Sequence, residues 1–385
     1  MMILGIDASN LRDGGGVTHL VELLKVAEPE KFGFSKVIVW SGKKTLDKIE
    51  EREWLIKSYL QVLDKNLLYR VFWQRFTLSK LAIKNGCTLL FVPGGAYAGN
   101  FHPMVTMSRN LLPFEWKELL RYGFSLKMFK MILLRITQSY SFRVADGLIF
   151  LTKYAKETVN KVTRINENKV VIIPHGINNR FIIQPKSQLP IENYTKQNPF
   201  RLLYVSVIEM YKHQWNVAEA VYNLKEKGIP IVLDLIGPYY PPALKKLKQK
   251  LAEVDPSGEY ITYHGSVSHN ELHKRYANSD LCIFASSSEN MPNILVEGMA
   301  SGLPIACSKL GPMPEILKEG GVYFNPLDVD DIEYQLNGMI RSAQIRSSCS
   351  EISSNLVKQY SWQKCANKTF DFLKNVANTK IVSHR

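Results

Sequence analysis

A chain of 385 residues is too long for one ordinary α/β core and comfortable for two. Its 45% hydrophobic and 22% charged content excludes a disordered chain, and no uncharged apolar run approaches the roughly 18 residues a membrane-spanning helix needs. The net charge of +14 at pH 7 suits nucleic acid or an anionic membrane surface, but no nucleic-acid motif accompanies it, so nucleic acid is not an expected partner.

Short apolar runs alternate with longer stretches of helical period, the signature of βαβ units and parallel sheets. Met1–Asp7 reaches an acidic residue too early for a secretory signal, so a cytoplasmic chain is expected. The five scattered cysteines, without a C-x-x-C pair, fit core residues of a reducing compartment. Residues 3–7, 36–40, 89–92, 105–107, 148–151 and 170–173 read as strands. Residues 17–26, 72–84, 113–142 and 153–161 read as helices. Gly14-Gly15-Gly16-Val17 follows the first strand, where backbone can approach a ligand closely. The spacing is not the G-x-G-x-x-G of a dinucleotide site, which argues against a dehydrogenase.

Between residues 109 and 143 lie Arg109, Lys117, Arg121, Lys127, Lys130, Arg135 and Arg143, interleaved with Leu, Phe, Met and Ile and opposed only by Glu115 and Glu118. Such a basic amphipathic helix fits a peripheral membrane surface, or a core-packed helix with a solvated basic edge. Residues 178–199 are polar and punctuated by proline, a linker composition. From Phe200 the alternation restarts, with strands over 202–205, 231–236, 261–264, 281–285, 304–307 and 322–324. Ser268 and Glu271 form a capping-box pattern at the start of a helix.

The richest chemistry lies in Ser286–Glu315, which leaves the sheet at the edge where doubly wound folds bind ligands. Pro292 fits a first helical position and Gly302 a helix end. Glu289 then lies in the loop before the helix and Glu297 more than a turn inside it. Backbone N–H groups near Asn293, at the positive end of the helix dipole, make an anion site ready for a diphosphate. Carboxylates beside such a site repel phosphate, so their targets are hydroxyls such as a vicinal diol.

This segment, with Glu289 and Glu297 followed by Gly298-Met299-Ala300-Ser301-Gly302-Leu303-Pro304, resembles the E-x7-E signature of retaining glycosyltransferases of the GT-B fold, family 4. The glycine loop, Phe150-Leu151-Thr152-Lys153, Pro174-His175-Gly176 and Tyr360-Ser361-Trp362-Gln363 look like that family too, so the likeness covers nearly the whole chain. It implies an α/β architecture of two Rossmann-like doubly wound domains facing a central cleft: an acceptor-side domain over 1–180, a linker over 181–199, and a nucleotide-sugar domain over 200–360. The last segment, 361–385, would cross back onto the first domain.

The resemblance further implies transfer of a sugar from a UDP- or GDP-sugar, with retention, to an acceptor hydroxyl. Lys212 matches the lysine that neutralises the donor diphosphate, Glu289 would hold the transferred sugar, and Glu297 the ribose. Asn290, Met291, Pro292, Asn293, Ser206, Gly15 and Gly16 complete the expected donor contacts. There are two departures. Ser206 stands where the family usually carries an arginine, and Ser108-Arg109-Asn110 stands where many relatives carry a histidine–acid pair. Arg109, Asn110 and His175 are the acceptor-side candidates; Arg109 can supply charge but not act as a base. His213 lies on a loop at the same edge, and His102 precedes its strand and reads as a surface residue. No clustered His, Cys or Asp has metal-ligand spacing, so no metal or other cofactor is expected. With the basic stretch, the expected acceptor is a lipid-linked saccharide of surface polysaccharide assembly (O-antigen, capsule or lipopolysaccharide) at the inner face of a bacterial plasma membrane. A sugar-nucleotide epimerase and a non-catalytic nucleotide-sugar-binding subunit are the alternatives.

Overall fold

The computed structural model describes residues 1–383 and divides into two compact units. The first comprises Met1–Leu119, Gly123–Gly176 and Tyr360–Arg385, and the second Leu120–Tyr122 and Ile177–Gln359.

The first unit is built on seven parallel strands: β1 (Met2–Asp7), β2 (Phe34–Ser41), β3 (Leu55–Tyr59), β4 (Leu89–Val92), β5 (Met104–Met107), β6 (Gly147–Phe150) and β7 (Val170–Ile172). Their order is β3-β2-β1-β4-β5-β6-β7, so the direction of winding reverses between β1 and β4. β4, β5 and β6 are buried at every position, as expected of strands covered by helices on both faces. β3 has no counterpart in the sequence reading. It is an edge strand of sequence Leu-Ile-Lys-Ser-Tyr that buries only Leu55, and so shows no apolar run.

The helices of this unit are α1 (Gly15–Lys25), α2 (Lys43–Leu46), α3 (Leu67–Trp73), α4 (Ser79–Lys84), α5 (Trp116–Leu119), α6 (Leu126–Val144) and α7 (Lys153–Thr163). Two readings need correction. The helix expected from residue 72 starts at Leu67, where the Asn66 side chain accepts from the Leu68 and Tyr69 amides, and a π-helical turn over Gln74–Leu78 joins α3 to α4. The helix expected over 113–142 is broken. Gly123 takes φ 54°, and Ser125 caps a fresh start by accepting from Met128 N. A left-handed glycine followed by a serine cap ends one helix and begins another, whatever the apolar period says. A C-terminal helix, Trp362–Ser383, belongs to this unit; Phe370 packs on Phe32 and Phe34, and Gln363 donates to the Val26 carbonyl.

The second unit has six parallel strands: β8 (Phe200–Val205), β9 (Ile231–Ile236), β10 (Ile261–Tyr263), β11 (Leu281–Phe284), β12 (Ile305–Ser308) and β13 (Val322–Phe324). The order β10-β9-β8-β11-β12-β13 places its reversal between β8 and β11. Its helices are α8 (Gln214–Glu226), α9 (Pro241–Val254), α10 (His269–Ala277), α11 (Asn293–Ala300), α12 (Met313–Leu317), α13 (Val329–Arg341) and α14 (Ala343–Leu356). The Ser268 hydroxyl caps α10 by accepting from Asn270 N, while Glu271 pairs with Lys274 instead of closing the box. The proline-punctuated stretch packs on this unit: Ile183 N donates to the Ala300 carbonyl, and Lys186 pairs with Asp280. No helix of the described residues is long and apolar enough to cross a membrane.

Candidate functional site

The reversal between β8 and β11 opens a crevice at the carboxyl ends of the strands, where ligands of doubly wound sheets bind. Two loops meet there, one after β8 and one after β11. Ser287 N donates to the Tyr211 carbonyl at 2.8 Å, and the Ser286 hydroxyl reaches the same carbonyl at 3.4 Å. His213 Nε2 lies 2.8 Å from the Ser287 hydroxyl. Lys212 closes the set with a short ion pair to Glu289. Its ammonium also lies 4.9 Å from the Phe284 ring centre and 5.4 Å from that of Tyr211. The Lys212 backbone is fixed from below by the Tyr204 hydroxyl, which donates to its carbonyl at 2.6 Å.

These contacts bury the pair, with side-chain exposures of 6% for Lys212 and 15% for Glu289. A cation and an anion held together out of water are a poised charge: either can be re-paired by an incoming group without first being desolvated. His213 is left-handed (φ 51°) and sits at the N-cap of α8. Burial, reinforced by the positive charges of Arg121 and Lys246, holds its pKa down at about 3, so it is neutral and serves as a packing and hydrogen-bonding group.

Beyond Glu289 the loop after β11 leads into α11. Pro292 is its N-cap rather than its first helical residue, and no side chain caps it. Asn293 Oδ1 is shielded from solvent with no hydrogen-bond partner. Glu297 lies in the second turn, buried, with the Tyr276 hydroxyl 3.5 Å from Oε2. That tyrosine's pKa is raised well above its usual value by burial and by the Glu297 charge, so it donates rather than ionises. Asn290 and Met291 are buried between the two glutamates. Ser206, just past the end of β8, donates its hydroxyl to the Val207 carbonyl. Gly237 crosses directly over it, since a Cβ there would lie 2.0 Å from the Ser206 carbonyl oxygen. Glu315, at the far end of the segment, is exposed on α12.

In the first unit Arg109 donates to the carbonyls of Gly15 at 2.5 Å and Gly16 at 3.2 Å, tying the loop after β5 to the start of α1. Burial lowers its pKa to about 10, which still leaves it charged at neutral pH. Asn110 is occupied locally: Oδ1 accepts from Leu112 N, and Nδ2 faces the Met131 sulfur. His175 does not stand on an open loop. It is 4% exposed, with Nδ1 2.8 Å from His19 Nδ1 and its ring against Trp362. Burial and the Arg109 charge hold both histidines well below their usual pKa, so both rings are neutral and the Nδ1–H of one donates to the Nδ1 of the other. His102 is on the surface, paired with Asp146 at 2.6 Å.

Residues not singled out in the sequence include His19, Tyr204 and Tyr276. His19 falls in the apolar period of α1 and carries no local signal; Tyr204 lies on β8 and Tyr276 on α10, and only the fold brings them to Lys212 and Glu297. Among the described residues no group of three or more His, Cys, Asp or Glu side chains is placed to hold a metal ion.

Residues 186–356 match the sequence profile of the glycosyl transferases of group 1. The sulfoquinovosyl transferase SQD2 of Arabidopsis thaliana is 26% identical over 198 residues, covering 50% of this chain and 36% of that protein. The O-antigen chain mannosyltransferase B of Escherichia coli is 27% identical over 115 residues, covering 30% of each. The chain thus spans about a third of the length of these two relatives. The Anabaena protein HepE, solved in complex with UDP-glucose, has the same fold: TM-score 0.69 at 15% identity, covering 99% of this chain and 100% of that one.

Proposed function

From the match of residues 186–356 to the glycosyl transferases of group 1, we propose that the protein transfers a sugar from a nucleoside diphosphate donor to an acceptor hydroxyl, with retention at the anomeric carbon, as family 4 enzymes do. The observation that carries this reading is the buried Lys212–Glu289 pair beside the start of α11, at the β8/β11 reversal. A donor diphosphate would take over Lys212 and the amides near Asn293, freeing Glu289 to accept hydrogen bonds from the transferred sugar. Glu297 would hold the ribose, with Tyr276 steadying its second oxygen. Lys212 and the helix start then meet the charge of the departing diphosphate, so the reading asks for no metal. Solved neighbours that hold UDP-glucose support a nucleotide-sugar donor.

The acceptor is a saccharide, a reading supported by an O-antigen chain mannosyltransferase among the relatives. We place that saccharide on a lipid carrier at the inner face of the plasma membrane, with the chain docked peripherally through its basic 109–143 stretch. In the first unit, Gly15 and Gly16 remain proposed donor contacts and Arg109 a proposed acceptor-side residue. The test is turnover of UDP- and GDP-sugars with membrane lipid extract by the wild type and by Glu289→Ala, Glu297→Ala and Lys212→Ala. Loss of roughly 10²–10³-fold is expected for Lys212→Ala. Unchanged turnover in all three variants would refute the site, and an isomerised donor without glycosylated lipid would make the protein an epimerase.

A further inference from the structure

The stretch Leu67–Lys84 inverts the usual amphipathic rule. Its inward face carries Arg70, Trp73, Gln74, Leu78 and Ala82. The two polar residues are drawn inside by the β1 end: Arg70 donates to the Ser9 carbonyl at 2.9 Å, and Gln74 to the buried Asp7 carboxylate. The outward face is left to Leu68 (75% exposed), Phe72 (68%), Phe76 (57%) and Ile83 (69%), with the Phe72 and Phe76 rings 5.0 Å apart. A helix with large apolar side chains in water on one side and packed on the other is waiting for a second apolar phase.

This face has a neighbour. The β3–β4 and β5–β6 connections run in the same direction across the sheet, and right-handed crossovers place α3–α4 and α6 on one side of it. The buried cluster holding Trp73, Leu78 and Ala82 also holds Tyr97 and Ala145, with Val144 of α6 packed against it. Tyr97 N donates to Ser141 of α6, and Asn100 N to Ser79 of α4. On α6 and just before it, Phe124, Phe129 and Leu133 are exposed in turn.

Charge selects the occupant. Residues 65–145 contain twelve lysines and arginines against two glutamates, Glu115 and Glu118, so ten of the chain's fourteen net positive charges lie in this stretch, all but that of Arg121 in the first unit. A second copy would meet the same charge and be repelled. An apolar surface in a stretch with this excess of cations matches an anionic bilayer.

We infer that α3, the π-helical turn and α4 form, together with α6, one docking face for an anionic lipid bilayer, with Leu68, Phe72 and Phe76 inserted at headgroup depth. The inference rests on the peripheral-membrane reading above and adds to the basic 109–143 stretch a second element that carries no acidic residue. Flotation of the full chain with vesicles of phosphatidylcholine, alone or mixed with phosphatidylglycerol, tests it without any measurement of turnover. The wild type is expected to float with the mixed vesicles, and less so at high salt. Leu68→Ser/Phe72→Ser/Phe76→Ser should lower that partitioning about tenfold or more while leaving the melting temperature unchanged or raised. Lys80→Glu/Lys84→Glu should weaken it on the mixed vesicles. Wild-type partitioning by the apolar triple variant overturns the inference; if Phe129→Ser/Leu133→Ser alone abolishes flotation, docking through α6 survives without it. A wild type that floats with neither vesicle sinks both readings. A dimer that the triple variant disperses would hand the face to a second copy and overturn it as well.

Discussion

In the second unit two residues picked from sequence, Lys212 and Glu289, meet each other, whereas in the first Asn110 and His175 meet structural partners. Lys212 and Glu289 stand 77 residues apart and share an ion pair, and the loops around them are stitched by Ser286, Ser287 and His213. In the first unit Asn110 closes its own turn, and His175 is packed with His19 and Trp362. Of the acceptor-side candidates, Arg109 reaches candidate residues directly, at Gly15 and Gly16, and His175 reaches the same helix through His19. The difference lies in the kind of signal. Strand, proline-opened helix and glycine stop fix the position of Glu289 and Glu297 along the chain, so their neighbourhood follows from the fold. A histidine or an asparagine on a loop has no such frame, and its surroundings depend on what packs over it.

The comparison is sharpest in turnover. Lys212→Ala should cut donor turnover by roughly 10²–10³-fold, whereas Asn110→Ala should lose about 0.5–1.5 kcal/mol of stability, the worth of its turn hydrogen bond, with turnover close to wild type. A large catalytic loss in Asn110→Ala would erase the contrast between the units.

Packing gives the next contrast. A Cβ on Gly176 would lie 2.1 Å from the Trp362 backbone nitrogen, where the C-terminal helix begins, whereas one on Gly228 would meet nothing within 4 Å. Gly176→Ala should therefore destabilise by about 1–3 kcal/mol through forced displacement of that helix start. Gly228 has φ 78°, so its alanine variant should lose only the smaller left-handed strain. Chemical denaturation separates the two, and equal losses would show that the close approach to Trp362 is not a constraint.

The smallest effect is in pH. His19 and His175 in the first unit and His213 in the second are held neutral in the native state, with His213 at about 3. Unfolding lets each take up a proton below its ordinary pKa of 6.5, so stability is complete above that pH and falls as the solution is acidified, for His213 down to about pH 3. The slope should be about 1.4 kcal/mol per pH unit for each histidine that titrates only when unfolded. His175→Gln and His213→Asn should each flatten the dependence measured by denaturant unfolding between about pH 6.5 and 5. Asparagine suits the left-handed backbone at 213. An unchanged slope in both variants would mean that water reaches these rings.

Much of the fold was legible because burial on both faces writes itself as apolar runs: β4, β9 and β13 begin and end where those runs do. β3 was not legible, since an edge strand with one buried residue has no such run. The helix over 113–142 was misread because its apolar and basic residues recur smoothly through Gly123, and only the backbone at that residue breaks it. On α3 and the π-helical turn the apolar residues were visible, but not that Arg70 and Gln74 would claim the inward side.

By itself the sequence determined the two parallel sheets and the placement of Glu289 and Glu297 around the start of one helix, because strand burial, turn chemistry and helix stops are local. Tertiary structure alone decided that Lys212 would be closed on Glu289, that His175 would be packed away with His19, and that Phe72 and Phe76 would face solvent. Those outcomes depend on which side chains, distant along the chain, compete for the same buried volume, and no local pattern records that competition.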